Sequence, residues 1–180
     1  MQLKDIATNL IKFNRIATLL GVGIAVSIGI PALAAVSRTN VKPNTSNSSR
    51  YITGGTEDNG RNTLYICSTK VDGEYTPGKY YPPNQRCYVA WGGKEYSYTS
   101  PIRFYITNSW TWGNFPGYIV GNNLAGGTEN NGKNTLYFCR AKVDGEYTPG
   151  KYYPPNKTYY VPWGGREYQY KKNFQILFVN

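Results

Sequence analysis

The sequence contains no histidine, and only three of its 180 residues are cysteine. Without an imidazole, the usual Ser-His and Cys-His nucleophile systems are excluded. Three cysteines and no histidine also argue against a structural zinc site. Carboxylates are scarce, with 10 Asp and Glu against 20 Lys and Arg. A glycoside hydrolase needs two of them held roughly 5 to 9 Å apart. Glu57, Asp58, Asp72, Glu74 and Glu95 are available, but none stands in a motif that enforces such a pair. Asp58-Asn59-Gly60 hints at a calcium loop, yet the remaining ligand spacing is missing and Asn130 replaces the aspartate in a later copy of the same motif. The chain therefore reads as a non-enzyme, with no catalytic residue, no metal site and no cofactor.

Long apolar runs are confined to one place. Ile16 to Ile30 is apolar with few interruptions, follows Lys4, Lys12 and Arg15, and precedes Ala32-Leu33-Ala34. Basic, apolar and small-x-small segments in that order are the three parts of a secretory signal peptide. The run is short for a membrane span, which takes about 20 residues. We expect residues 1–34 to be a signal peptide cleaved near Ala34. The mature chain would then be secreted or periplasmic, with no stable membrane insertion. Residues 35–50, rich in Ser, Asn, Thr and Pro, read as a flexible leader.

Positive charge is in surplus. Residues 1–34 hold Lys4, Lys12, Arg15 and Asp5, so removing them leaves 17 basic against 9 acidic side chains. Such an excess favours anionic partners, or it merely aids solubility. The basic residues are dispersed, without a run of five or six like charges, so nucleic acid is not expected as a partner.

The remaining chain is rich in Tyr, Gly, Asn and Thr, and all 18 Tyr and 4 Trp lie beyond residue 50. Its decisive feature is a repeat at an offset of 72 residues. Gly54-Gly55-Thr56-Glu57 returns as Gly126-Gly127-Thr128-Glu129. Lys70 to Asn84 recurs unchanged as Lys142 to Asn156, and Trp91-Gly92-Gly93 as Trp163-Gly164-Gly165. Over 54–98 and 126–170, 34 of 45 positions are identical, so the rest of the chain divides into a first module, 51–108, and a second, 109–180.

Within a module, Gly, Pro and Asn-Gly punctuation every 8 to 12 residues signals an all-β fold. Leu64 to Lys70 reads as a strand and Asp72-Gly73 as a hairpin turn. Thr76-Pro77-Gly78-Lys79 fits a type II turn. Tyr80 then opens a new strand, Cys87 to Trp91 forms another, and Gly92-Gly93 turns into Lys94 to Tyr98. A module of this size buries little core, so we expect two tandem homologous β-sheet modules packed together, with exchanged strands as one solution.

Cys67 and Cys87 lie in the first module. Cys139 matches Cys67, whereas Tyr159 replaces Cys87 in the second. Cys67–Cys87 could close a loop worth about 3 kcal/mol. Reduced thiols buried as small apolar groups are the alternative. The second module shows that the fold does not depend on such a bond.

What remains suits sugar recognition. A carboxylate accepts hydrogen bonds from vicinal hydroxyls, an ammonium donates to them, and an aromatic ring covers a C–H face. Each module supplies these groups: Glu57 and Lys79 in the first, Glu129 and Lys151 in the second. Glu74, Tyr75, Glu146 and Tyr147 are secondary candidates at hairpin tips. Trp91 before Gly-Gly reads first as a core residue and second as a ligand platform.

Gly-Gly-Thr-Glu, Asn134 to Ala141, Gly145-Glu146-Tyr147-Thr148-Pro149-Gly150-Lys151 and Trp163-Gly164-Gly165-Arg166-Glu167 together resemble the DM-nine repeat family, also found in natterin-like proteins. The closing Asn173 to Val179 and the upstream Trp110, Trp112, Gly113 and Pro116 extend the likeness, which covers about 51–180. The resemblance implies tandem all-β repeats with strands exchanged between copies, and mannose-type lectin activity. It implies an acid before the Leu-Tyr strand and the Lys of Pro-Gly-Lys as sugar ligands, at Glu57, Lys79, Glu129 and Lys151 here. The family's acid is often Asp, and the longer Glu arm bears on sugar preference. The resulting expectation is an exported lectin for mannose-type glycans or another polysaccharide, with one site per module. The alternative is a non-catalytic structural or protein-interaction module of the cell envelope. The sequence is also compatible with a homodimer.

Overall fold

The computed structural model describes residues 35–180, and the expected signal peptide lies outside the described residues. The described chain is all-β apart from short 3-10 turns at Ser48–Arg50, Pro82–Asn84 and Pro154–Asn156. No helix among these residues is long and apolar enough to cross a membrane.

Fourteen strands form one curled antiparallel sheet. They are β1 (Ser37–Thr39), β2 (Thr53–Glu57), β3 (Asn62–Val71), β4 (Glu74–Tyr81), β5 (Arg86–Trp91), β6 (Lys94–Tyr98), β7 (Ile102–Ile106), β8 (Trp110–Asn114), β9 (Ala125–Glu129), β10 (Asn134–Val143), β11 (Glu146–Tyr153), β12 (Thr158–Trp163), β13 (Arg166–Tyr170) and β14 (Phe174–Val179). The order across the sheet is β1-β7-β3-β4-β5-β6-β13-β12-β11-β10-β14-β8, with β2 on β3 and β9 on β10. The path reads the same from both ends, each strand of one copy taking the place of its 72-residue counterpart in the other about the β6–β13 junction. Among the described residues, only one ladder joins the copies, β6 to β13 at Lys94↔Arg166.

The sequence dictates several of these elements locally. Asp72 and Gly73 have φ of 49° and 85°, the left-handed pair that suits a two-residue hairpin with the twist of its strands. Gly92 and Gly93 do the same at φ of 56° and 84°. Thr76-Pro77-Gly78-Lys79 behaves otherwise. The expected type II turn is absent, and β4 runs straight through Pro77 and Gly78 to Tyr81. Tertiary packing overrides the local signal here. A Cβ on Gly78 would lie 2.0 Å from the carbonyl oxygen of Tyr88, so the glycine serves close backbone approach and not a bend. The leader expectation also needs correcting. Residues 37–39 pair with β7 as an edge strand, Ser37↔Ile106 to Thr39↔Phe104, and the Tyr51 hydroxyl donates to the Val41 carbonyl at 2.8 Å.

Three apolar clusters hold the sheet. One lies within the first copy around Tyr80, Val89 and Phe104, and one within the second around Tyr152, Tyr159 and Phe174. The third, comprising Ile52, Ile66, Tyr105, Leu124, Phe138, Leu177 and Val179, draws on both. Cys67 and Cys87 are disulfide-bonded across 20 residues of sequence. In the second copy Cys139 is a buried free thiol, and Tyr159 fills the space with its hydroxyl donating to the Thr148 carbonyl at 2.7 Å.

The hydrogen-bond ladders of β2 and β9 stay within their own copies, whereas their faces pack on the other. A Cβ on Gly55 would fall 1.8 Å from the Tyr147 carbonyl oxygen, and one on Gly127 would fall 1.6 Å from that of Tyr75. The exchange between copies thus consists of glycine-faced arms laid on a neighbour's strand.

Two carboxylates fasten these arms. Asp58, Asn59 and Gly60 all have left-handed φ, which aims successive amides at one point. The Glu146 carboxylate accepts from the amides of Asn59 (3.1 Å) and Gly60 (2.7 Å). Reciprocally, Glu74 accepts from the amides of Asn131 (2.9 Å) and Gly132 (2.7 Å) and from Thr128 Oγ1 (2.8 Å). The hydroxyl of Thr128, with those amides, holds Glu74 below the usual carboxylate pKa, and Thr56 with its neighbouring amides does the same for Glu146. Because the folded pKa values are depressed, this clasp stabilises the fold above the ordinary carboxylate range and is lost as pH falls through the folded values. A Glu74→Gln/Glu146→Gln chain should therefore melt below the wild type at neutral pH, and the gap should close as the pH falls below the ordinary carboxylate range and through the depressed folded values. A gap independent of pH in thermal melts would contradict the clasp.

Candidate functional site

Lys79 sits mid-strand on β4, directly opposite Tyr88 on β5 and Ile66 on β3. Opposed residues in antiparallel strands share a face, so the Lys79 ammonium lies over the Tyr88 ring, 5.7 Å from its centroid. Glu57 ends β2, and its Oε1 accepts a hydrogen bond from Lys79 Nζ. Glu95 on β6 stands beside the pair, with Oε1 3.8 Å from the same nitrogen. The lysine is 4% exposed. A buried ammonium needs such partners, because desolvating it alone is costly.

The roof comes from the other copy. The Trp163 ring lies over Lys79 Nζ at 4.3 Å, a cation–π contact across modules. The hairpin turns that carry the tryptophans interlock. The Glu95 amide donates to the Gly165 carbonyl at 3.3 Å, and the Glu167 amide to the Gly93 carbonyl at 3.2 Å. The Gly165 amide in turn donates to Glu95 Oε2 at 2.7 Å. A cleft of 460 Å³ opens here, lined in part by Glu57, Lys79, Tyr88, Glu95 and Trp163.

The second copy repeats the arrangement. Lys151 Nζ donates to Glu129 Oε1 at 2.8 Å, with Trp91 4.2 Å above it and Tyr160 at 5.5 Å. Its cleft measures 320 Å³ and includes Glu129, Lys151, Tyr160, Glu167 and the turn glycines Gly92 and Gly93. Burial pushes the Glu167 carboxyl up, against the opposing pull of Lys151. The sites are not identical. In the first, Asp58 accepts from the Tyr81 hydroxyl at 2.6 Å, which pushes the tyrosine up to about 12. In the second, Asn130 stands in place of that aspartate, and the Tyr153 hydroxyl keeps the bond it accepts from Asn134 Nδ2 at 3.0 Å, the counterpart of Asn62 to Tyr81 at 3.3 Å.

Glu57 and Lys79 therefore meet, as do Glu129 and Lys151. Of the secondary candidates, Glu146 lines the cleft of Glu57 and Lys79, and Glu74, Tyr75 and Tyr147 line neither cleft. Glu74 and Glu146 are engaged as clasps, while Tyr75 lies under the Arg103 guanidinium at 3.3 Å and Tyr147 under Arg140 at 4.2 Å. Trp91, read first as a core residue and second as a ligand platform, is both: it and Trp163 pack against their own copy's apolar cluster and also roof the ammonium of the opposite copy. The Trp-Gly-Gly-x-Glu spacing shared by both copies was the available signal for the tryptophans and for Glu95 and Glu167.

The family model of the DM9 repeat matches residues 57–170, the span that carries both sites. The chain belongs to the DM9 repeat family. Among solved structures it is similar to the nematode sperm cell motility protein MFP2B, with a TM-score of 0.58 and 15% identity. The match covers 81% of this chain and 46% of that one, so this DM9 protein spans about half the length of that neighbour, and the likeness is one of fold. A search of curated proteins found no match.

Proposed function

We propose that this DM9 repeat protein is an exported, calcium-independent lectin with one sugar site per copy, selective for mannose-type or related neutral glycans, and that it catalyses nothing. The observation that supports this reading is the pair of clefts in which a buried ammonium is hydrogen-bonded to a carboxylate and roofed by indole. Among the described residues, the only enclosed side-chain polar atoms without a partner are Thr76 Oγ1 and Thr148 Oγ1. The Glu57 side chain keeps 14% exposure, and the bond to Lys79 uses only its Oε1, which leaves the second oxygen as the acceptor for a sugar hydroxyl. Lys79 retains N–H protons beyond the one given to Glu57, and the Trp163 and Tyr88 rings in the same cleft offer surface to a pyranose C–H face.

A second reading, a protein-interaction module of the cell envelope, is supported by the motility role in the name of the structural neighbour and by the exposed rings of Tyr96 and Tyr168 on β6 and β13. A glycan array probed with the mature chain, with and without chelator, separates the two. Binding to mannose-type glycans that survives the chelator supports the lectin, and a blank array at high protein concentration defeats it.

The shared roof makes a sharper expectation. Trp163→Ala should weaken the Glu57–Lys79 site, and Trp91→Ala the Glu129–Lys151 site, each by roughly tenfold. Sugar-titrated NMR shifts at Tyr88 and Tyr160 would read the two sites apart. A tryptophan change that acted on its own copy's site would refute the cross-copy assignment.

A further inference from the structure

The second copy carries a separate cleft of 840 Å³ on the flank formed by the end of β8, the β13–β14 turn and the turn before β12. It shares no lining residue with either ammonium–carboxylate site. Lys142, Lys157, Lys171 and Lys172 line it, and no carboxylate does. All four lysines are exposed, and none is within salt-bridge distance of an acid among the described residues. One wall is aromatic and fixed: Phe115 packs on Phe174 at 5.0 Å and on Tyr152 at 4.6 Å.

The first copy provides an internal comparison. There Gln85 stands for Lys157, and Thr99-Ser100 stand for Lys171-Lys172. The corresponding cleft is 140 Å³, and its Lys42 ammonium is turned to Gln85 Oε1 at 3.1 Å. The copies are nearly the same in their sugar clefts and differ sharply here.

We propose that this cleft is an anion site for an acidic polysaccharide, one bearing sulfate or carboxylate groups along its chain. Four like charges from three separate segments around one concavity raise the local potential and draw an anion into it. Lysines are point charges without the guanidinium's planar fork, so they suit charges spaced along a polymer better than a single bidentate phosphate. The Phe115 and Tyr170 rings offer surface to sugar C–H faces between those charges. This site works independently of the neutral-sugar clefts.

The test uses the mature chain and titrations against dextran sulfate, polygalacturonate, neutral dextran and a single-stranded oligonucleotide. The wild type should bind at least one acidic polysaccharide, with an affinity that falls as salt rises, and should ignore neutral dextran. The sulfated and carboxylated polymers identify which anion is preferred. Lys157→Ala/Lys171→Ala/Lys172→Ala should weaken that binding by roughly tenfold or more, and should leave binding at the Lys79 and Lys151 sites unchanged. A charge-matched control, Arg61→Ala/Lys94→Ala/Lys133→Ala, should retain most of the affinity. Equal loss in the control, no loss in the lysine triple variant, or tighter binding of the oligonucleotide than of either acidic polymer would each overturn the proposal. A Lys79→Ala/Lys151→Ala chain that still binds acidic polymer shows that this site stands whether or not the neutral-sugar reading does.

Discussion

A chain carrying Lys79→Ala and Lys151→Ala should show no measurable affinity for any neutral sugar that the wild type binds, while either single change should halve the stoichiometry. The reason is that each ammonium is, among the described residues, the only cation lining its cleft and orders the groups near it. It holds Glu57 or Glu129 by a hydrogen bond and seats the indole of the opposite copy. Removing it takes away a donor to the sugar and leaves a half-enclosed carboxylate without its counter-ion. Breaking a buried pair by deleting one partner costs about 3–5 kcal/mol, with less expected here because Glu57 and Glu129 keep 14% and 18% side-chain exposure. To separate lost binding from lost folding, the companion variant replaces Glu57 and Glu129 by Gln and both lysines by Met. It restores charge balance and keeps an apolar stem under each tryptophan. Calorimetric titration of either variant should be flat while circular dichroism remains that of a β protein. Wild-type affinity in the companion would remove these residues from the sugar site.

The largest effect on stability is expected at a glycine. Gly127→Ala places a methyl group 1.6 Å from the Tyr75 carbonyl oxygen, and Gly55→Ala places one 1.8 Å from that of Tyr147. Both obstacles are main chain, so no rotamer change relieves the clash. β9 or β2 must lift from the opposing strand, and with it go the clasp at Glu74 or Glu146 and part of the cluster around Phe138 and Leu124. Overpacking a rigid core costs about 1–3 kcal/mol even when side chains can yield, so each single change should cost more than about 3 kcal/mol and the double variant should not fold. Gly121→Ala is the control, since nothing lies within 4 Å of its added carbon. Urea melts that placed Gly127→Ala within experimental error of Gly121→Ala would show that the arms are not clamped as described.

Much of this was legible in the residues. The repeat is read directly from the residues, and the all-β class and the hairpins at Asp72-Gly73 and Gly92-Gly93 follow from local turn chemistry and strand alternation. The meeting of Glu57 with Lys79 is implied by the resemblance to the DM-nine family, because local chemistry puts Lys79 on a turn. What escaped the sequence depends on contacts between positions far apart in the chain. Pro77-Gly78 reads as a turn because both residues favour one, and only the approach of Tyr88 makes a flat glycine necessary there. Glu74 reads as an exposed tip acid because its hydrogen-bond donors lie near residue 130. The leader reads as flexible because a three-residue edge strand has no periodicity to detect, and it is defined only by the open edge of β7.

The indole roof has a consequence for how such a protein could have arisen. A polypeptide with a single repeat would hold a lysine and a glutamate with nothing to cover them, because its own tryptophan points away toward a site that it does not possess. Only two such polypeptides meeting about a dyad would each complete the other's recess. Tandem duplication would then fuse a symmetric pair into one molecule, and thereafter free one flank, the one carrying Lys171 and Lys172, to drift toward a different task.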